Sequence, residues 1–317
     1  MWLLNKLFSH SDQPTPRFAF QGTVNWMRGL AILTEGEFSH HALRNFYRTV
    51  PRRRVNEEAD ALAYECLVMS MHNASSIKSM QGIDDPYEIV RSAVVAWYYA
   101  IYYASKAMLA ASSGADPQTH AATGKIWQKE LVDLNLVKKP FSNSIVDITP
   151  ANVQRAIAAL RAGNGYDLNT EPATIEMALG CIFSYLKGTA EYERWRLEEH
   201  VRKSQEYKLG NFTSFRSNAA KALRDAKLQP ANVNFLVQAF RYRGKANYRD
   251  AIYLSYGRDD TERVRQFVED LGAVSARFSA MAAHYTAKRV VATDWSLFAT
   301  DLIEHARFKL PFSLDDI

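Results

Sequence analysis

Long segments in which apolar residues recur every three or four positions follow one another through most of this sequence. Each segment predicts an α-helix, because this spacing places the apolar side chains on one face of a helix. Several of them end at a glycine, such as Gly82, Gly114 or Gly163. The predicted helices cover residues 57–82, 85–113, 150–163, 171–208, 261–290 and 294–308. Sustained strand alternation is hard to find, although residues 143–148 could form one short extended piece. We therefore predict an all-α protein.

The sequence also bears on the continuity of one helix and on the packing of two others. The segment 171–208 is compatible with one long helix or with two helices broken near Gly188. We also predict that the helices at 85–113 and 261–290 pack against each other as long antiparallel partners.

Composition predicts a sizeable core and a reducing environment. Apolar residues make up 47% of the 317 residues, and the net charge of +5 is compatible with a polyanionic partner without requiring one. Cys66 and Cys181 lie far apart and outside any CxxC or Cys/His metal spacing, which argues against a structural zinc site. No apolar run approaches membrane-spanning length, and the opening apolar stretch is too short for a signal peptide. We predict a cytoplasmic protein with no cofactor, no metal ion and no membrane partner.

The motifs of several common enzyme classes are missing. The sequence has no GxxxxGK[ST] loop, no GxGxxG after a strand, no HExxH and no GxSxG. The sequence therefore gives little support for a P-loop NTPase, a dinucleotide-binding enzyme, a zinc metalloprotease of the HExxH type or a hydrolase with a GxSxG nucleophile.

Positive charge is concentrated between residues 216 and 250, where only Asp225 and Asp250 oppose it. The basic residues there are Arg216, Lys221, Arg224, Lys227, Arg241, Arg243, Lys245 and Arg249. Such side chains neutralise phosphates, and interleaved aromatic rings can stack on unpaired bases. The residues predicted to bind nucleic acid are Arg216, Arg241, Lys245, Tyr248 and Arg249. A run of basic residues is also commonly just a solvated face, and this alternative stays open.

Two segments resemble parts of the HEPN superfamily, the higher eukaryotes and prokaryotes nucleotide-binding domains. Residues 93–109, "AVVAWYYAIYYASKAML", resemble the tyrosine-and-alanine helix of that family, and His120 follows where such domains often begin another helix. Residues 240–254, "FRYRGKANYRDAIYL", resemble the element that precedes its last helix. The resemblance implies a HEPN-like helical bundle at 84–317, with a large helical insertion at about 131–234. It does not explain residues 1–83, which we predict to be an N-terminal helical extension.

The resemblance also implies a function. HEPN domains usually form dimers with the functional cleft at the dimer interface, and the active ones cleave RNA without a metal ion. They carry an Arg that holds the phosphate and, a few residues later, a His that moves protons. For this chain we expect an RNA-acting effector of a toxin–antitoxin or phage-defence system, forming a homodimer and controlled by a protein partner or antitoxin. The alternative is a non-catalytic HEPN-like module that binds nucleic acid or a nucleotide, or assembles a complex.

The candidate catalytic residues depart from the family pattern at the expected place. Counting from Arg243 reaches Asn247 instead of a histidine, which favours the non-catalytic alternative because Asn cannot act as a general base. Arg277 and His284 lie seven positions apart, nearly two helical turns, and so could share one groove about 10 Å apart along the axis. The candidates are therefore Arg243, Asn247, Arg277 and His284.

Overall fold

The computed structural model describes residues 16–247 and 261–317, together with Trp2, Lys6 and Leu254. In this part of the chain the structure is 70% helical, with twelve α-helices and one two-stranded sheet. The helices are α1 (Pro16–Thr34), α2 (His40–Phe46), α3 (Glu57–Met80), α4 (Val90–Ser113), α5 (His120–Trp127), α6 (Pro150–Arg161), α7 (Ile175–Lys203), α8 (Gln205–Leu209), α9 (Asn218–Leu228), α10 (Phe235–Asn247), α11 (Thr261–Arg289) and α12 (Ala292–His305). The strands β1 (Ile145–Val146) and β2 (Asn232–Val233) pair antiparallel. The prediction of an all-α protein is confirmed, and β1 falls within the predicted extended piece.

Local sequence features explain where several helices begin and end. The side chain of Asn56 accepts a hydrogen bond from the amide of Ala59 at 3.1 Å and so caps the start of α3. Gly114 ends α4 in the left-handed conformation, with a φ of 79°, which glycine adopts without steric strain. Gly188 lies inside α7, so the segment that could have been one helix or two is continuous up to Lys203.

The core centres on α4, which packs against α3 and against α11. Trp97, Ile101 and Met108 on α4 are fully buried. Small residues between them, such as Ala100 and Ala104, allow the neighbouring helices to approach closely. Each apolar side chain of this size that leaves water contributes roughly 1.5–3 kcal/mol, so burial along α4 contributes substantially to the stability of the fold.

The predicted contact between 85–113 and 261–290 is present, but the predicted antiparallel direction is wrong. At the start of α11, Nη2 of Arg265 donates a hydrogen bond to the carbonyl oxygen of Asp84 at 2.9 Å. At its end, Nη2 of Arg289 donates to the carbonyl oxygen of Ser112 at 3.0 Å. The two helices therefore run parallel. Only a short connection forces neighbouring helices to be antiparallel, and the long chain between α4 and α11 can return to the end where α4 begins.

Two arginines from distant parts of the chain hold the C-terminal end of α4. The carbonyl oxygen of Ala111 accepts hydrogen bonds from Nε of Arg53 at 3.1 Å and from Nε of Arg289 at 3.3 Å. Cations at this position satisfy the last carbonyls of a helix and complement its dipole. Arg53 also forms an ion pair with Asp60 in which the side chains are only 10% and 8% exposed. Part of the basic loop 51–55 is thus structural.

The strands β1 and β2 pair at the two ends of residues 147–231, a long segment of the chain that we call the excursion. Within the excursion, α6, α7 and α9 form a second core cluster around Ile148, Leu186 and Leu228. The first half of α7 also packs on α1 in the main core, where the rings of Tyr185 and Trp26 stack with their centroids 4.2 Å apart. The excursion overlaps the insertion predicted at about 131–234 but shares the main core.

The predicted boundary between residues 1–83 and 84–317 does not divide the core. Helices α3 and α4 stand on opposite sides of this boundary and contribute to the same core cluster. The description of the first part as an extension and of the second as a HEPN-like bundle stays a prediction.

Candidate functional site

The strongest candidate site lies where α10 meets α4 and α5. Its residues are Tyr98, Tyr99, His120, Phe240 and Arg243, and we call them the Arg243 cluster. The guanidinium carbon of Arg243 lies 4.9 Å from the ring centroid of Tyr98 and 5.0 Å from that of Phe240. Its Nη1 makes a long hydrogen bond of 3.4 Å to the hydroxyl of Tyr99. Contact with two ring faces stabilises the cation without neutralising its charge.

Arg243 retains hydrogen-bonding capacity that its neighbours do not use. Its Nε is buried and has no hydrogen-bond partner among the described residues. No carboxylate within 16–247 or 261–317 forms an ion pair with it either. A buried donor without a partner costs free energy, and in a native structure it calls for an explanation. The guanidinium also keeps its positive charge, which can attract an anion such as a phosphate.

His120 begins α5 and completes the cluster. The helix starts there because Thr119 accepts a hydrogen bond from the amide of Ala122 at 3.2 Å. The hydroxyl of Tyr98 and Nδ1 of His120 form a short hydrogen bond of 2.6 Å. The imidazole also lies against two rings, with centroid distances of 4.6 Å to Tyr102 and 4.9 Å to Phe240. The position of the ring is therefore well defined, and it is only half-buried.

The electrostatics of the cluster favour a neutral imidazole. Burial lowers the pKa of His120 below its usual value of 6.5, and the nearby charge of Arg243 lowers it further. Burial raises the pKa of the Tyr98 hydroxyl, which therefore keeps its proton. At pH 7 the cluster thus presents a fixed positive charge beside an imidazole that can accept a proton.

The comparisons with known proteins do not assign a family. No family model, no curated protein and no solved structure matches the chain. The resemblance to the HEPN superfamily therefore stays a prediction.

Two further findings concern membranes and metal ions. None of the helices in the described ranges combines the length and the apolar character that crossing a bilayer requires. Across the same ranges, no group of three His, Cys, Asp or Glu side chains is placed to hold a metal ion.

Arg277 and His284 do not meet in one groove. Nη1 of Arg277 donates hydrogen bonds to the carbonyl oxygen of Ala31 at 2.7 Å and to Oγ1 of Thr34 at 3.0 Å, and so holds the end of α1. His284 is 3% exposed, and its Nε2 lies 3.1 Å from Nδ1 of His40 on α2. The two side chains contact different helices because seven positions span about 10 Å along α11. Both have structural contacts that explain them.

The basic residues at 241 and 243 do not share one surface. Arg241 points towards α7, where its Nη1 donates to the carbonyl oxygen of Gly188 at 2.7 Å and its guanidinium stacks on Tyr192 at 4.4 Å. Arg241 and Arg243 thus face different neighbours, because two positions on a helix differ by about 200°. Arg216 is exposed in the loop before α9.

The remaining predicted site residues lie outside what the structure describes. Tyr248 and Arg249 are outside the described residues, and so are the side chains of Lys245 and Asn247, which belong to the last turn of α10. Their predicted roles in nucleic-acid binding and catalysis stay predictions.

The sequence does not identify His120 as the partner of Arg243. A search for Arg and His at short spacing cannot find it, since the two residues come from helices far apart in the chain. The available indication was the tyrosine-rich helix itself, because Tyr98 and Tyr102 supply the hydroxyl and the ring that position the imidazole.

The proximity of His120 and Arg243 leads to a prediction that requires no catalytic activity. Because the charge of Arg243 lowers the pKa of His120, we expect Arg243→Gln to raise that pKa measurably. The measurement is an NMR titration of the histidine ring protons. The matched control is Arg241→Gln, which removes the same charge from the same helix but on the side facing α7. Equal His120 pKa values in the parent and the Arg243→Gln variant would contradict the arrangement.

Proposed function

We propose that the protein is a metal-independent endoribonuclease in which Arg243 binds the scissile phosphate and His120 transfers the proton. The observation that carries the proposal is the Arg243 cluster itself. A guanidinium with an unused buried donor and a neutral imidazole lie against the same two rings, those of Tyr98 and Phe240. Proton transfer and phosphate charge stabilisation are the two requirements of RNA cleavage by its own 2′-hydroxyl.

The proposed reaction needs no external reactant. His120 accepts the proton of the RNA 2′-hydroxyl as that oxygen attacks the adjacent phosphorus. The bond between phosphorus and the 5′-oxygen breaks, and the imidazolium returns the proton to the leaving oxygen. The products are a 2′,3′-cyclic phosphate and a 5′-hydroxyl. Arg243 stabilises the negative charge that increases on the phosphate oxygens in the transition state.

Tyr98 supports this chemistry as a positioning residue. Its hydroxyl binds Nδ1 of His120 and leaves Nε2 as the nitrogen for substrate, because Nε2 has no hydrogen-bond partner within the described residues. For Nε2 to accept a proton, Nδ1 must carry its hydrogen, so the Tyr98 oxygen accepts a hydrogen bond from Nδ1 both before and after proton transfer.

The proposal extends to the biological context that the HEPN resemblance implies. The protein would be a HEPN-like effector of a toxin–antitoxin or phage-defence system, with RNA as substrate and a protein partner or antitoxin as regulator. It would act as a homodimer with the cleft at the interface. Its active Arg and His would come from separate helices and not from one short motif.

The test is cleavage of total RNA by purified protein in the presence and absence of EDTA. We expect cleavage that EDTA does not abolish, with a loss of about 100-fold or more in His120→Asn, since general acid–base catalysis contributes about 10²–10⁴-fold. Arg243→Ala should reduce cleavage to a similar extent. The control is His305→Asn, which changes an exposed histidine at the end of α12. Full activity in a folded His120→Asn variant would refute the proposal.

A specific observation favours the non-catalytic alternative. The short hydrogen bond between Tyr98 and His120 and the partial burial of His120 are also what a structural histidine would show. If the parent protein binds RNA through Arg243 but never cleaves it, the cluster is a binding site for nucleic acid or nucleotide phosphates.

A further inference from the structure

Almost all of the excess charge of the protein resides in one small part of it. Residues 200–230 contain seven basic and two acidic side chains, a net charge of +5. This equals the net charge of the whole chain, so the remaining residues are neutral as a group. These residues comprise the last turn of α7, the short helix α8, α9 and the loops between them, and we call them the basic lobe.

The basic lobe is a folded unit and not a loose tail. Its small core contains Val201, Tyr207 and Ala220, all nearly inaccessible to solvent. Ser204 caps α8 by accepting from the amide of Tyr207 at 3.3 Å, and Ser217 caps α9 by accepting from the amide of Ala220 at 3.2 Å. The lobe therefore has a defined backbone from which its charged side chains project.

Two of its seven cations have partners. The guanidinium groups of Arg202 and Arg224 both lie over the ring of Phe215, at 5.0 and 5.7 Å from the centroid. Each is also paired with a carboxylate, Arg202 with Glu199 and Arg224 with Asp225. These contacts account for the two arginines structurally.

The other five cations are exposed, and no carboxylate in the described part of the chain forms an ion pair with them. They are Lys203, Lys208, Arg216, Lys221 and Lys227. The carboxylate of Glu206 interacts electrostatically with Lys227. These five charges are concentrated on one small folded unit, and the phosphates of a polyanion would neutralise them.

We propose that the basic lobe is a docking surface for the sugar–phosphate backbone of a nucleic acid, bound by charge and not by base sequence. The inference rests on the proposed RNA partner but not on the chemistry at His120. Backbone binding is favoured over base stacking because Tyr207 is buried and Phe215 is covered by two cations. A lipid surface fits less well, because α9 exposes alanine and lysine and lacks the large apolar face of an interfacial helix.

The test is the salt dependence of RNA affinity in a variant with three substitutions, Lys203→Ala, Lys208→Ala and Lys221→Ala. Each lost phosphate contact lowers the slope of log affinity against log salt by about 0.7 for single strands. We expect the slope to fall by about 2 and the affinity at 0.1 M salt to fall roughly 10- to 100-fold. The matched control removes three exposed lysines elsewhere, Lys78→Ala, Lys129→Ala and Lys309→Ala. Circular dichroism establishes that both variants are folded.

The outcomes separate this inference from the proposed ribonuclease activity. If the parent cleaves RNA but the lobe variant binds it like the control, the docking surface is refuted and the activity stands. If the lobe variant loses its salt slope while the parent never cleaves, the docking surface stands and the activity fails. An RNA affinity too weak to measure in the parent overturns both. Lobe-dependent binding to phosphatidylserine vesicles without lobe-dependent RNA binding also overturns the inference.

Discussion

Replacing Arg53 by alanine is expected to lower the free energy of unfolding by about 3–5 kcal/mol. Arg53 and Asp60 form a nearly buried ion pair, with side chains 10% and 8% exposed. Alanine would leave the Asp60 carboxylate in the interior without its counter-charge, and this uncompensated burial is what makes breaking such pairs so destabilising. The substitution also removes the hydrogen bond from Arg53 to the carbonyl of Ala111 at the end of α4.

The measurement is urea unfolding at pH 7, and the chain offers a close control. Arg54→Ala removes the same charge from the next residue, which is exposed, and should change stability by about 0.5 kcal/mol or less. A second variant isolates the cause. Adding Asp60→Asn to Arg53→Ala should restore part of the loss, because the buried charge is then gone. Equal stabilities for the Arg53 and Arg54 variants would mean that the ion pair does not stabilise the fold.

Two buried groups are expected to change the free energy of unfolding in opposite directions as the pH falls from neutral to 4. Burial lowers the pKa of His284 to about 3, and the neighbouring His40, Arg44 and Lys288 lower it as well, against Asp316. The unfolded chain takes up this proton near pH 6.5, so below that pH it binds more protons than the native state. The stability associated with neutral His284 is complete above about pH 6.5 and decreases by about 3 kcal/mol by pH 4.

Asp270 acts with the opposite sign. Burial raises its pKa to about 6, although the charge of Arg28 and the hydrogen bonds from Arg28 and Gln266 oppose this. Between about pH 4 and 6 the native state therefore holds a proton that the unfolded chain releases. Stability decreases as the pH rises through this range and increases by about 2–3 kcal/mol on acidification.

Single variants should reveal each contribution. We expect the free energy of unfolding of Asp270→Asn, relative to the parent at the same pH, to decrease on acidification from pH 6 to 4. The reason is that the parent gains stability over this range. The free energy of unfolding of His284→Gln, relative to the parent, should instead increase as the pH falls from 6.5 to 4. Denaturant unfolding at several pH values measures both differences, and comparison with the parent cancels the titration of all other groups. Parallel stability curves for the three proteins would contradict both assignments.

The positions of the helices could largely be predicted from the sequence, but the contacts between the helices could not. Apolar spacing and a terminal glycine were sufficient to predict α4 up to Gly114, because these features depend on a single helix. The partnership of Arg243 with His120 and Tyr98 depends on which helices come together, and no local pattern contains that information. The direction of α11 relative to α4 was wrongly predicted for the same reason.

One error could have been avoided from geometry alone. Arg241 and Arg243 were counted together in one basic segment, yet they lie on a helix, where two positions differ by about 200°. The first guanidinium therefore points to Tyr192 on α7 and the second to Tyr98 on α4. In the basic lobe, by contrast, basic residues that are close in the sequence also lie together at the surface, because they are exposed side chains on short helices and loops.

The arginines at the end of α4 also have a consequence for protein synthesis. The carbonyl oxygen of Ala111 accepts hydrogen bonds from Arg53, 58 positions earlier, and from Arg289, 178 positions later. When the ribosome has just completed α4, Arg53 is therefore present in the chain but Arg289 is not. At roughly 5–20 residues per second, ribosomes need about 10–35 s to add those last positions. During that time α3 and α4 can pair, but the apolar face of α4 that α11 will cover remains open. The nascent chain thus exposes this apolar face for many seconds, and transiently exposed hydrophobic surface is prone to aggregation.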